Sequence, residues 1–210
     1  MLMPQDLPDF EKPPVTEVVC GVQFKELRSL IIPHLGQLWE KFKAEYPRYQ
    51  EVSPIVPVIE LFKRHLSSFE DFVEEAPLGS IEPVQYEMTY VNLIPQDEGW
   101  SSLKELRKVF PDFAWQNKPR FLPEAEVINW RTSYVLPKQA GRLHTTIRNG
   151  TRADDNSPIV RFELTARGMP ADTSKDAMWQ WFALDHEWIV KGFEDLTGST
   201  MHKNVWKKRK

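Results

Sequence analysis

The chain has 210 residues, of which 41% are apolar and 27% charged, with a net charge of −3 from 27 basic and 30 acidic residues. That balance belongs to a globular protein of one or two domains and excludes a disordered, collagen-like or disulfide-stapled chain, as well as a polycation that coats nucleic acid with its whole surface. A single cysteine, Cys20, excludes an internal disulfide and a multi-cysteine metal site, no apolar run approaches the roughly 20 residues of a membrane span, and the start MLMPQDLPDFEKPP lacks the basic and apolar regions of a secretory signal, so the expected location is the cytoplasm.

Residues 15–27 (VTEVVCGVQFKEL) alternate: Val18, Cys20, Val22 and Phe24 fall on one face, Glu17, Gln23 and Lys25 on the other. The spacing predicts a strand with one buried side, with Cys20 as a small core residue. Pro33 then opens a helix over residues 33–46, whose stripe is Leu35, Leu38, Trp39, Phe42 and Tyr46. A second helix is predicted over residues 58–75 on Leu61, Phe62, Leu66, Phe69, Phe72 and Val73.

Residues 85–94 (QYEMTYVNLI) read as the next strand, and residues 101–109 as a short helix with Glu105 at capping distance from Ser101 or Ser102. Three strands follow at residues 127–136, 142–148 and 159–167, joined by turn-forming segments, which makes an antiparallel meander the simplest topology. The longest helix spans residues 174–196, with Met178, Trp181, Leu184, Trp188, Ile189, Phe193 and Leu196 as its predicted buried side. Gly198 is placed to end it, and Ser199 to cap a last short helix. The fold class is α+β: an antiparallel sheet of four or more strands with amphipathic helices packed on one side, and a degenerate β-α duplication as a further reading of the two strand–helix pairs. One domain over residues 1–210 is expected, with lobes 1–110 and 111–210 as its variant.

Five segments carry a resemblance: PPVTEVVCGVQF, HLGQLWEKF, YEMTYVNLIP, FELTARGMP and DHEWIVKGFEDLTGSTMHKNVW. In this order they resemble a sporadically distributed prokaryotic family to which no reaction is attached. The resemblance implies a partner encoded nearby and, from the patchy distribution, a role of defence or toxin–antitoxin type. It also implies an extra strand pair in longer members, where this chain crosses residues 53–58 directly.

No phosphate loop, dinucleotide fingerprint, zinc-protease helix or nucleophile elbow is present. The five histidines show no pair at metal-ligand spacing, and no cofactor, metal or catalytic residue is assigned. Asp185, His186 and Glu187 are adjacent, so on a helix they diverge by about 100° each and read as solvated or locally paired. The notable pattern is arginine in strands. Arg161, Glu163, Thr165 and Arg167 share one face of their strand, Arg142 and His144 one face of the neighbouring strand, and Arg131 and Arg148 lie in the same meander. Arginine suits bidentate recognition of carboxylate or phosphate. The candidate binding set is therefore Arg131, Arg142, His144, Arg161, Arg167 and His186. The leading expectation is a non-catalytic protein-interaction component that does not engage a membrane. The alternatives are a binder of an anionic small ligand or nucleic acid through the arginine face, and an enzyme drawing on Glu87, Arg167, His186 and His202.

Overall fold

The computed structural model describes residues 7–43, 58–113 and 121–209. The strands are β1 (Val15–Phe24), β2 (Pro83–Pro95), β3 (Asn129–Val135), β4 (Arg142–Thr151) and β5 (Pro158–Gly168). They form one five-stranded antiparallel sheet in the order β1-β2-β5-β4-β3. The helices are α1 (Ile32–Phe42), α2 (Val58–Glu75) and α3 (Lys175–Leu196), so the class is α+β. The meander β3-β4-β5 is antiparallel throughout, with Thr132 opposite Thr145 and Thr145 opposite Leu164. Residues 53–57 and Tyr46 lie outside the described residues, and with them the expected crossing and the end of the first helical stripe.

The chain divides into two compact units, Cys20–Tyr86 and Met1–Val19 with Glu87–Lys210. In the smaller unit Leu27, Phe72, Val73 and Leu78 form a buried cluster, against which Phe24, Leu30, Leu38 and Phe69 pack. Phe24 and Phe69 meet ring to ring at 5.5 Å, and Lys41 bonds Glu75 at 2.6 Å while lying over the Phe72 ring. The stripe on α1 is only partly used: Leu38 joins the cluster, whereas Leu35 and Trp39 are exposed.

In the larger unit β5 alternates from Val160 onward, while Ile159 on the opposite side is also buried. Val160, Phe162, Leu164 and Ala166 are fully buried, and the intervening residues are not. Leu143, Thr145 and Ile147 of β4 continue this inner face. Helix α3 packs on β4 and β5 through Met178, Trp181, Phe182, Ile189 and Phe193. Burying each large side chain stabilises by about 1.5–3 kcal/mol. Gly192 lets the helix sit close, since a Cβ there would lie 3.1 Å from the Leu143 side chain. Ser174 caps α3 by accepting from the Ala177 amide at 3.3 Å, as its position predicts. The last turn, Met201–Val205, carries no side-chain cap, so the expected role of Ser199 is not realised. Trp206 is buried beside Phe10, Met201 packs against Gly99, and the backbone of residues 9–12 bonds to that of residues 206–209.

Two burial expectations are corrected. Val18, Val22 and Phe24 are half-buried because β1 is an edge strand with a neighbour on one side only. The buried stripe of α3 includes Phe182 and Asp185, and Trp188 is half-buried. Because α3 is apolar on more than one side, its periodicity does not fix which side turns inward.

Candidate anion-binding face

The outer face of β2, β4 and β5 is set by the period of two along each strand. On β2 it presents Glu87 and Thr89, on β5 Arg161, Glu163, Thr165 and Arg167, and on β4 Arg142, His144, Thr146 and Arg148. The Thr89 and Thr165 hydroxyls meet at 2.9 Å, which fixes the facing of the two strands. On β3 the register continues the face with Ser133 opposite His144 and Arg131 opposite Thr146.

The register also places like charges against one another. Arg142 stands directly opposite Arg167, and Arg148 directly opposite Arg161. Each such pair costs about 0.2–1 kcal/mol relative to a neutral pair. One carboxylate attends each pair. Arg167 Nε donates to Glu87 Oε2 at 2.5 Å. Glu163 accepts from Arg161 and lies 3.4 Å from Arg148 Nη2. Arg131 and Arg142 have no ion pair among the described residues, and both are exposed. Five arginines therefore face solvent with two carboxylates among them. His144 lies between them, and its pKa is lowered by partial burial and by the neighbouring Arg167 and Arg142, against an opposing pull from Glu87. This favours its neutral form at pH 7.

The turn geometry keeps the Arg142–Arg167 end in place. Gly141 and Gly168 cross backbone to backbone: a Cβ on Gly141, at φ +141°, would lie 2.1 Å from the Arg167 carbonyl oxygen, and one on Gly168 would lie 2.0 Å from the Ala140 carbonyl oxygen. At the other end a groove of about 630 Å³ opens between Arg148, Arg161 and the β4–β5 hairpin. Arg152 lines it and holds Asp154 in a two-point ion pair at 3.0 and 2.9 Å.

Comparison with family models, curated proteins and solved structures gives no match. The reading of the site therefore rests on its own geometry.

Of the six residues singled out from the sequence, the structure brings five to one face and separates His186 from them. His186 sits on α3, and its Nδ1 meets the Tyr90 hydroxyl at 2.9 Å. Tyr90 alternates with Thr89 on β2 and lines a small cavity with Leu164 and Ile189, so this contact lies on the inner side of the sheet. Burial lowers the His186 pKa. His202 is further along the chain, where its Nε2 meets the Thr197 hydroxyl at 2.7 Å while that hydroxyl donates to the Phe193 carbonyl. The hydroxyl has one proton, so His202 Nε2 carries the proton of their shared bond. Glu87 and Arg167 thus share the outer face, and the two histidines once grouped with them belong to other surroundings.

Asp185 is a correction. It is neither solvated nor locally paired: it is fully buried in the α3 stripe, with no hydrogen-bond partner on either oxygen, and burial pushes its pKa up to about 8. Glu187 does pair, with Lys191 at 2.5 Å. The signal lies in the spacing: Trp181 and Ile189 stand four residues to either side, which places Asp185 in their stripe although a carboxylate taken by type reads as outward-facing. Cys20 is half-buried and free, and burial raises its thiol to about 11, which leaves it unreactive at neutral pH. Among the described residues no group of three histidine, cysteine or carboxylate side chains is placed to hold a metal ion, and no helix is long and apolar enough to cross a membrane.

Proposed function

We propose that this chain is a non-catalytic binding component that takes an anionic ligand on the arginine-lined face of its sheet. The observation that carries this reading is the β4–β5 register, which sets Arg142 against Arg167 and Arg148 against Arg161 with one carboxylate at each pair. A face meant only for solvent gains nothing from like charges placed directly opposite each other; a bound anion offsets their repulsion and makes charge-assisted hydrogen bonds worth about 1.5–3 kcal/mol each. The ligand class is a molecule bearing phosphates or several carboxylates, and a protein partner would supply it through an acidic segment.

Titration calorimetry with pyrophosphate, and separately with a polyglutamate peptide, tests the reading. At low ionic strength at least one of the two binds, and the double variant Arg142→Ala/Arg167→Ala weakens that binding at least tenfold while far-ultraviolet circular dichroism stays unchanged. Binding that survives the double variant would place the site elsewhere.

A further inference from the structure

We propose that the anion held by this face is the sugar–phosphate backbone of a nucleic-acid duplex, bound without reading its base sequence; this inference rests on the anion-binding role above. Length is the first argument. Arg142 and Arg148 are six residues apart along β4, and Arg161 and Arg167 six apart along β5. At about 3.3 Å per residue the two arginine pairs stand roughly 20 Å apart. A single phosphate or nucleotide reaches one pair only. A duplex laid along the strands presents one phosphate per about 3.4 Å of axis on each of its strands, so about six fall within that span. Arg131 on β3 widens the same track, whereas Arg152 at the hairpin is held by Asp154.

The floor between the pairs is the second argument. Ser133, His144 and Thr165 form one row across β3, β4 and β5, and Thr89 joins it through its bond to Thr165. Arg131, Thr146 and Glu163 form the next row. Short hydroxyl side chains let a backbone approach and donate hydrogen bonds to phosphate oxygens.

The third argument is the aromatic side chains. Tyr90, Trp130, Tyr134 and Phe162 all alternate to the inner side, and strands β2 to β5 bring no aromatic side chain to the arginine face. Unpaired bases find no Phe, Tyr or Trp ring to stack on there, which weighs against a dedicated single-strand platform. A protein partner finds only aliphatic side chains there, Val135 opposite Arg142 and Leu93 and Ile159 at the groove, and no tryptophan or tyrosine anchor of the kind in which interface energy concentrates. These strands also contain no lysine, so every cation on the face is a planar guanidinium suited to two-point phosphate contact.

Fluorescence anisotropy with the full chain tests this. The labelled probes are two unrelated duplex DNAs of about 20 base pairs, a duplex RNA of the same length, oligo-dT and a polyglutamate peptide. The expected result is equal binding of both DNA sequences, in preference to oligo-dT and polyglutamate, with affinity falling steeply with salt. Arg142→Ala and Arg148→Ala should each lower the slope of log affinity against log salt by about one. A DNA–RNA difference identifies which duplex fits and supports the inference either way. Tighter binding of oligo-dT, a strong difference between the two DNA sequences, or a slope untouched by both variants would overturn it. If polyglutamate or pyrophosphate binds through Arg142 and no duplex does, the duplex inference fails and the anion-binding role stands. If no anion binds, both fail.

Discussion

Asp185 shows how one residue can run against its surroundings. Both of its oxygens are buried without partners, and its pKa is raised from 3.8 to about 8. Its folded state therefore keeps a proton that the unfolded chain releases above about pH 4. Stability attributable to this group is fully present below the unfolded value and is lost as pH rises toward 8. Asp185→Asn removes the titration while keeping the size. Its stability relative to the parent should rise between pH 4.5 and pH 8, by roughly 4 kcal/mol, in thermal melts at the two pH values. A pH-independent difference would show that Asp185 does not carry the raised pKa. Cys20 gives a second check at this scale. With a thiol near 11, thiol-reactive dye at pH 7.5 should label the native chain much more slowly than the urea-unfolded chain. Equal rates would contradict the burial that raises it. The two differ in how far the sequence shows them. Alternation puts Cys20 on the apolar side of β1; four-residue spacing from Trp181 and Ile189 likewise puts Asp185 in the buried stripe of α3, but its residue type alone reads as solvated.

Among the elements, β5 and its turns hold the arginine face in register. The alternation Val160, Phe162, Leu164, Ala166 against Arg161, Glu163, Thr165, Arg167 could be read directly from the letters, because a strand cannot bury both sets. The pairing could not. That Arg142 meets Arg167 depends on where the β3–β4 turn starts β4, and that is set by the crossing of Gly141 and Gly168. Gly168→Ala places a Cβ 2.0 Å from the Ala140 carbonyl oxygen, so it should destabilise the fold by about 1–3 kcal/mol and shift the NMR signals of Arg142 and Arg167 more than those of Arg148 and Arg161. A change of less than a few tenths of a kcal/mol would mean the crossing is loose. The five segments singled out in the sequence read as packing positions once placed. Phe162, Leu164 and Gly168 in FELTARGMP, and Ile189, Gly192, Phe193, Met201 and Trp206 near the C-terminus, are packing and close-approach positions. Those motifs specify the sheet–helix layer, and of the five arginines on the face only Arg167 falls within them.

For the molecule as a whole, charge is unevenly placed. The chain carries a net −3, yet the outer face of β2 to β5 sets five arginines against Glu87 and Glu163. Composition alone therefore argued against a nucleic-acid partner, since a whole-chain count averages away a local cationic surface. The central claim is that these arginines are kept for binding rather than for stability, and Arg142 separates the two most cleanly. It stands opposite Arg167 and has no ion pair among the described residues, so its removal relieves a repulsion. The decisive measurement is the Arg142→Ala variant read two ways on one sample, unfolding free energy and affinity for a phosphate-bearing probe such as pyrophosphate or a short duplex. The account predicts stability unchanged or raised by up to about 1 kcal/mol together with affinity lowered about tenfold or more. Lowered stability with unchanged affinity would contradict it.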